Sequence, residues 1–375
     1  MRPLFAIALV AIIHFSLHPW HFVPSGFSRS LGGYAINTRS DYTDTLLNLL
    51  FYIPPALLGQ WIFQTRKTRL RTLFLTVAGF TLLSFTIENL QLAIPGRVGS
   101  LRDVLCNAVG ALAGGLLGFF IPPPSRLAAR WKLPPQAAGL AIYLIAFTTW
   151  LAFPFMPYIR WHQVTRIPEL LLHPAWPWHD MGDLFFILLV LYLMAEHLTL
   201  PALLVTATAA LLIPSQAFLR DVELSLARLI TAGAALVTAL VLLRRPTRHH
   251  YVSLACLLAA WILYRQLAPG HFDPHPINAF NWIPFRPLIE VGGRGASVRI
   301  VSGKFLLYTG VLWLYARTGL SIPLAGTALL LLLALTEALQ RYLPGRTPET
   351  TDLALALLGI LTLYLAKPRT TAVLP

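Results

Sequence analysis

Long apolar blocks recur along this chain, each closed by a short cluster of Pro, Gly and Arg. A bilayer core is crossed by about 20 apolar residues in a helix, and the blocks match that length. They predict an all-α polytopic bundle of about twelve spans. The spans lie near residues 3–20, 44–63, 71–91, 102–121, 137–155, 182–199, 201–218, 224–243, 252–268, 303–318, 321–341 and 352–366. Only Leu200 and Pro201 separate the sixth from the seventh, so these two can also be read as one bent hairpin.

Composition agrees with the pattern. Charged residues make up 12% of the chain and hydrophobic residues 56%, with a mean hydropathy of +0.66, whereas a soluble domain carries about 25% charged residues. An ordinary cytosolic globule is excluded. The start, with Arg2 before an apolar run, has the form of a secretory signal but no small-residue cleavage site follows, so it is expected to be a retained first span. Cys106 and Cys256, the only cysteines, fall inside predicted spans and imply neither a disulfide framework nor a Cys-type metal site.

The net charge of +14 does not mark a nucleic-acid binder, because the basic residues sit at helix ends and not along one exposed face. Topology accounts for them. With the N-terminus inside, alternate loops hold Arg66, Lys67, Arg69 and Arg71, then Arg126, Arg130 and Lys132, then Arg244, Arg245 and Arg248. Arg2, Arg317, Lys367 and Arg369 complete the set. Lys and Arg density beside spans fixes orientation, which places both termini in the cytoplasm and the chain in the cell membrane. Fourteen basic residues and one acid, Glu196, then lie inside, and 15 basic and 14 acidic residues lie outside. Acids contribute little to orientation, so their segregation has another cause.

Two segments share one spacing: IENLQLAIPGRVGSLRDVLCNAVG and TEALQRYLPGRTPETTDLALALLG. Glu88, Gln91, Pro95, Gly96, Arg97, Asp103 and Gly110 recur at a constant distance of 249 residues as Glu337, Gln340, Pro344, Gly345, Arg346, Asp352 and Gly359. Seven gapless matches argue for duplication. Upstream, Tyr52 has a counterpart in Tyr308 after a shorter inner loop. The expected organisation is a first repeat at 1–122, a middle region at 123–250, and a second repeat at 251–368. The middle holds only fragments of the pattern, such as Ile213-Pro214-Ser215-Gln216 and Arg220-Asp221, as a degenerate third unit would.

The motif set resembles that of the VanZ-like family of multi-span membrane proteins. In the first repeat it runs Asp44, Asn48, Tyr52, Pro54 and Gly59, then Glu88, Gln91, Arg97, Asp103, Asn107 and Gly110. In the second, Asn281-Trp282-Ile283-Pro284-Phe285 resembles the family's Asn-x-Ile-Pro-Phe element, followed by Glu337, Gln340, Arg346 and Asp352. The second repeat departs at Lys304, where Asn48 aligns, and at Ala356, where Asn107 aligns; the first lacks the Asn-x-Ile-Pro-Phe element. The resemblance implies an envelope protein linked to tolerance of lipoglycopeptide antibiotics such as teicoplanin, and names no reaction.

Each polar feature admits more than one role. Glu88 and Gln91 share a helix face, as do Glu337 and Gln340; they either snorkel to water or form an interior polar set, where ionisable groups in spans are usually found. Arg97 and Arg346 either pair with the preceding Glu and lock the hairpin or hold an anionic headgroup, since a guanidinium fork suits phosphate and carboxylate. Asp103 and Asp352 stand where helix caps are expected, and such an end can also bind an anion. Gly110, Gly114 and Gly118 permit close helix packing, within the chain or between protomers in an oligomer. His271, Asp273 and His275 form a weak metal pattern in a Pro-rich loop, and no metal or cofactor is expected. The histidines at 14, 18 and 21 are read with Trp20 as markers of the outer boundary.

The leading expectation is a protein that binds or modulates a lipid-linked envelope precursor or another anionic lipid headgroup through its outer-face Glu, Gln, Arg and Asp residues. An enzyme acting on a lipid phosphate or glycan is a second reading. A transporter is a third, disfavoured because the paired acids lie towards one end of their spans and not at the midplane.

Overall fold

A backbone inside a bilayer has no water to satisfy its N–H and C=O groups, so each apolar segment must bond within itself. The computed structural model describes residues 2–18, 20–23, 42–65, 67–95, 97, 99–123, 126, 137–153, 177–197, 208–209, 211–213, 225–268, 270–290 and 294–366. Its helices are α1 (Arg2–Leu17), α2 (Tyr42–Phe63), α3 (Arg69–Gln91), α4 (Leu101–Phe120), α5 (Ala137–Ala152), α6 (Trp178–His197), α7 (Leu226–Arg244), α8 (Arg248–Leu267), α9 (Arg286–Glu290), α10 (Arg294–Arg317), α11 (Ile322–Gln340) and α12 (Thr351–Leu365). Among the described residues the only extended pairing is an isolated bridge between Asn281 and Glu349. The fold of the described residues is all-helical.

By length and hydropathy α3, α4, α6, α7 and α11 suffice to cross a membrane, and α1, α5 and α12 contain shorter apolar helices. Eleven of the predicted spans coincide with helices. The seventh, at 201–218, lies largely outside the described residues, as do Pro214, Ser215, Gln216, Arg220 and Asp221. Two features differ from expectation. Helix α10 starts at Arg294, well before the apolar block that marked it, and α9 precedes it; both hold polar residues that hydropathy passes over. Large apolar side chains such as Phe74, Leu105, Phe120 and Leu331 point outward, as suits a bundle whose surroundings are hydrocarbon.

The described helices fall in two compact units, Met1–Lys132 and Leu133–Pro375. In the N-terminal unit α2 packs on α1, α3 and α4, and α3 also packs on α1 and α4, around Ile12, Tyr52, Ala56, Phe80, Ile87 and Ala111. The glycine stripe serves the α2–α4 contact. A Cβ added to Gly110 would lie 2.2 Å from the Leu49 carbonyl oxygen, and one added to Gly114 would lie 2.2 Å from that of Ile53. At Gly118 it would lie 2.8 Å from Gln60 Cβ. The close approach these glycines permit is made to α2 of the same chain.

In the C-terminal unit α10 packs on α8, α11 and α12, and α11 also packs on α8 and α12. This is the pairing of the N-terminal unit with α8, α10, α11 and α12 in place of α1 to α4. Helices α5 and α6 join the same core against α10, and α7 packs on α6. Tyr143, Phe147, Leu188, Leu258, Val311 and Leu333 lie at its centre.

Candidate functional site

The polar residues singled out above gather at the turn after α3 in one unit and after α11 in the other. At the end of α3, Leu92, Ala93 and Ile94 donate to the carbonyls of Asn89, Leu90 and Gln91, and Arg97 N donates to Ile94 O. Pro95 prevents the helix from continuing. The next helix, α4, is capped by Ser100, whose Oγ accepts from Asp103 N at 3.2 Å. Glu88 reaches across the turn: its Oε2 accepts the Ser100 N–H at 2.8 Å, so a residue of one helix satisfies the N-cap donor of the next. Gln91 Nε2 donates to Ser16 O at 2.8 Å, Arg97 Nη2 to His18 O at 3.3 Å, and Val23 N to Ala93 O at 2.8 Å.

The C-terminal unit repeats this wiring. Glu337 Oε2 accepts the Glu349 N–H at 2.7 Å. Gln340 Nε2 donates to Gln266 O at 3.2 Å and to Gln266 Oε1 at 2.6 Å. Arg346 donates through Nε to Ala268 O at 2.9 Å, and through Nη2 to Arg265 O at 2.9 Å and again to Ala268 O. Asp273 N donates to Tyr342 O at 2.8 Å. Trp20 and Gly270, which follow the two anchoring helix ends, have positive φ of 65° and 82°. Ser16, His18, Trp20 and Val23 thus correspond to Gln266, Ala268, Gly270 and Asp273.

This geometry corrects two expectations. Among the described residues neither Glu88 with Arg97 nor Glu337 with Arg346 forms an ion pair. The guanidinium turns instead to the carbonyls that end α1 or α8, which lack partners within the helix and carry the negative end of its dipole. Asp103 does not cap α4, because the Ser100 hydroxyl already does. Asp352 does not cap α12 either; its carboxylate is engaged by the Lys304 ammonium and the Gln266 amide.

The two aspartates have different surroundings. Asp103 is hydrogen-bonded by the Asn48 side chain and Ser100. Nearby, Asn107 Nδ2 donates to Ser84 Oγ at 2.9 Å and Arg102 Nη2 to Thr45 Oγ1 at 2.9 Å. Asp352 is fully buried, with Oδ1 2.6 Å from Lys304 Nζ and Oδ2 accepting from Gln266 Nε2. Gln266 Nε2 also lies 2.9 Å from the Tyr308 hydroxyl. Lys304, a departure from the motif in sequence, is thus the principal partner of the motif's aspartate.

The remaining candidates support the turns. Tyr52 is buried edge-on against Phe80 at 6.0 Å between ring centres. Asp44 belongs to α2, and its side chain lies outside the described residues. Asn281 pairs with the segment after Pro348: its N–H donates to Pro348 O at 2.9 Å and its carbonyl accepts from Thr350 N at 3.2 Å. Phe285 N donates to Thr351 Oγ1 at 2.7 Å. The Asn-x-Ile-Pro-Phe segment is a strap over the second turn. Asp273 Oδ1 accepts the His275 N–H at 3.0 Å, a turn-forming bond. Among the described residues no group of three or more His, Cys, Asp or Glu could hold a metal ion.

Beside the second turn a cavity of about 530 Å³ is lined by Arg265, Gln266, Arg299, Lys304, Tyr308, Arg346 and Glu349, with Asp180 and Asp183. Asp183 is held 3.1 Å from Arg265 Nη2 and accepts from Trp261 Nε1 at 2.8 Å; Asp180 lies 3.7 Å from Arg228. Burial raises the carboxyl of Glu349 above its ordinary range, with the Thr351 hydroxyl and Lys304 drawing it back. Burial and neighbouring Arg265 lower Arg346 from its ordinary value. Sequence reasoning passed over Arg265, Gln266, Arg299, Asp183 and Glu349. The available signal was Lys304, an ionisable residue inside an apolar block, which is by default a pointer to a site.

The family model for VanZ/LLP1 matches residues 5–122. No curated protein and no solved structure gives a match.

Proposed function

Since residues 5–122 are a VanZ-like domain, we propose that this membrane protein binds or modulates a cell-envelope component at the outer face of the cytoplasmic membrane and contributes to tolerance of glycopeptide antibiotics such as teicoplanin. The observation that carries the reading is the Glu-Gln-Arg wiring, which holds one helix-end turn in the same form in both units. Residues 1–122 and 251–368 are, on this reading, two VanZ-like units, with 123–250 a degenerate middle unit. The positive-inside distribution of Arg and Lys puts both turns on the outer side, where lipid-linked precursors are displayed.

The polar residues hold a recognition surface and need perform no chemistry. Deleting the gene in its native host is expected to raise teicoplanin susceptibility, and the intact gene to restore tolerance. A gene with Arg97→Gln and Arg346→Gln, expressed to the same membrane abundance, is expected not to. Full restoration by that variant would remove the turns from the function. Reporter fusions in the 66–71 loop and the 96–102 loop should report opposite sides of the membrane; the same side for both would overturn the outer-face assignment.

A further inference from the structure

We propose that the cavity of the C-terminal unit is a binding site for a phosphoryl headgroup, gripped by Arg265, Arg299, Lys304 and Arg346. The proposal rests on the reading of the chain as a binder of an envelope component and names the chemistry of what is bound.

The first ground is convergence. The four cations come from three separate elements, α8, α10 and the turn after α11, and line one cavity of about 530 Å³. That volume holds a headgroup, and the charged side chains share the lining with Trp150, Ile262, Ile300 and Leu307. Guanidinium forks match phosphate oxygens in pairs, and an ammonium adds a point charge.

The second ground is that the matched frame of the N-terminal unit lacks three of these cations. The N-terminal unit builds the same turn with Phe15 where Arg265 stands and Asn48 where Lys304 stands; in the register that pairs Tyr52 with Tyr308, Thr43 occupies the place of Arg299. Only Arg97 matches its counterpart, Arg346. Three cations have therefore been added around a frame that closes without them in the N-terminal unit, and crowding like charges beside a low-dielectric interior is unfavourable. Carboxylates offset this in part, Asp183 at 3.1 Å from Arg265 and Asp352 at 2.6 Å from Lys304, with Glu349 also in the lining. A phosphoryl group entering the cavity meets the cations together.

The full chain in nanodiscs, titrated with short-chain phosphatidate and with short-chain diacylglycerol, which lacks the phosphoryl group, and followed by calorimetry, tests the site. The wild type is expected to prefer phosphatidate by about tenfold or more, the scale of one charge-assisted contact. Arg299→Gln combined with Lys304→Asn is expected to abolish the preference. Lys304→Asn copies Asn48 and gives Asp352 a neutral donor in place of a counter-charge, so a cooperative melt and an unchanged elution volume show that the fold is retained. Arg71→Gln, in the other unit, is expected to change nothing. Inorganic pyrophosphate is the competitor: displacement of the lipid means that phosphate alone is read, and no displacement means that the lipid body is needed as well. Both outcomes support the phosphoryl site and assign its source. Equal affinity for the two lipids, or an undiminished preference in the folded double variant, overturns it. If the lipids bind equally while gene deletion still alters teicoplanin susceptibility, this assignment fails and the functional reading stands.

Discussion

Around Asp103 the N-terminal unit uses neutral hydrogen-bond partners, Asn48 and Ser100, with Arg102 as a charged neighbour and an Asn107–Ser84 bond one helix turn on. Around Asp352 the C-terminal unit uses Lys304 at 2.6 Å, together with Gln266. The surrounding wiring is the same in both, so the units form a comparison in which the frame is held constant and the electrostatics change. A neutral network loses little when one member is removed. A buried ion pair loses much, because the surviving charge has no solvent to fall back on.

Lys304→Met should have the largest effect, since it strands a fully buried Asp352; the cost is about 3–5 kcal/mol. The matched change in the N-terminal unit, Asn48→Leu, should cost only about 1–2 kcal/mol, the loss of a neutral donor. Unfolding of each variant in mixed micelles with increasing denaturant measures both. Equal losses would mean that Lys304 and Asn48 play the same role and that the contrast is one of residue identity alone.

The next contrast is steric. At Gly110 and Gly114 an added Cβ meets backbone oxygens of α2 at 2.2 Å, whereas at Gly359, the counterpart of Gly110, the nearest atom is Thr309 Oγ1 at 2.9 Å. Backbone cannot step aside and a hydroxyl has some freedom. Gly110→Ala should therefore cost about 3 kcal/mol or more and Gly359→Ala about 1 kcal/mol. Comparable melting temperatures for the two variants would place the tight helix contact of both units elsewhere.

What was legible in the sequence follows from which atoms carry the structure. Apolar blocks located the spanning helices because hydrocarbon solvation acts on whole segments, and it missed the start of α10 at Arg294 because that stretch is polar. Glu88, Gln91 and Arg97 showed in the spacing because their side chains make the bonds. Their partners did not, since Ser16, His18, Gln266 and Ala268 accept through backbone carbonyls, and any residue supplies a carbonyl. The correspondence of α1 with α8 was invisible for that reason. Asp183 and Arg265 are 82 residues apart, and no local pattern joins them.

The smallest effect concerns the residue that follows each anchoring helix. Trp20 and Gly270 both sit at positive φ, 65° and 82°, but only one is a glycine. An alanine Cβ at Gly270 would meet no atom within 4 Å, so packing cannot contribute and the backbone conformation alone sets the cost of Gly270→Ala, about 1–2 kcal/mol. Asparagine tolerates this region better than alanine because its side chain bonds locally. Gly270→Asn should therefore fall between wild type and Gly270→Ala in a thermal melt of the full chain. Identical melting temperatures for the two variants would show that the loss comes from something other than φ, and would leave Trp20 without strain to explain.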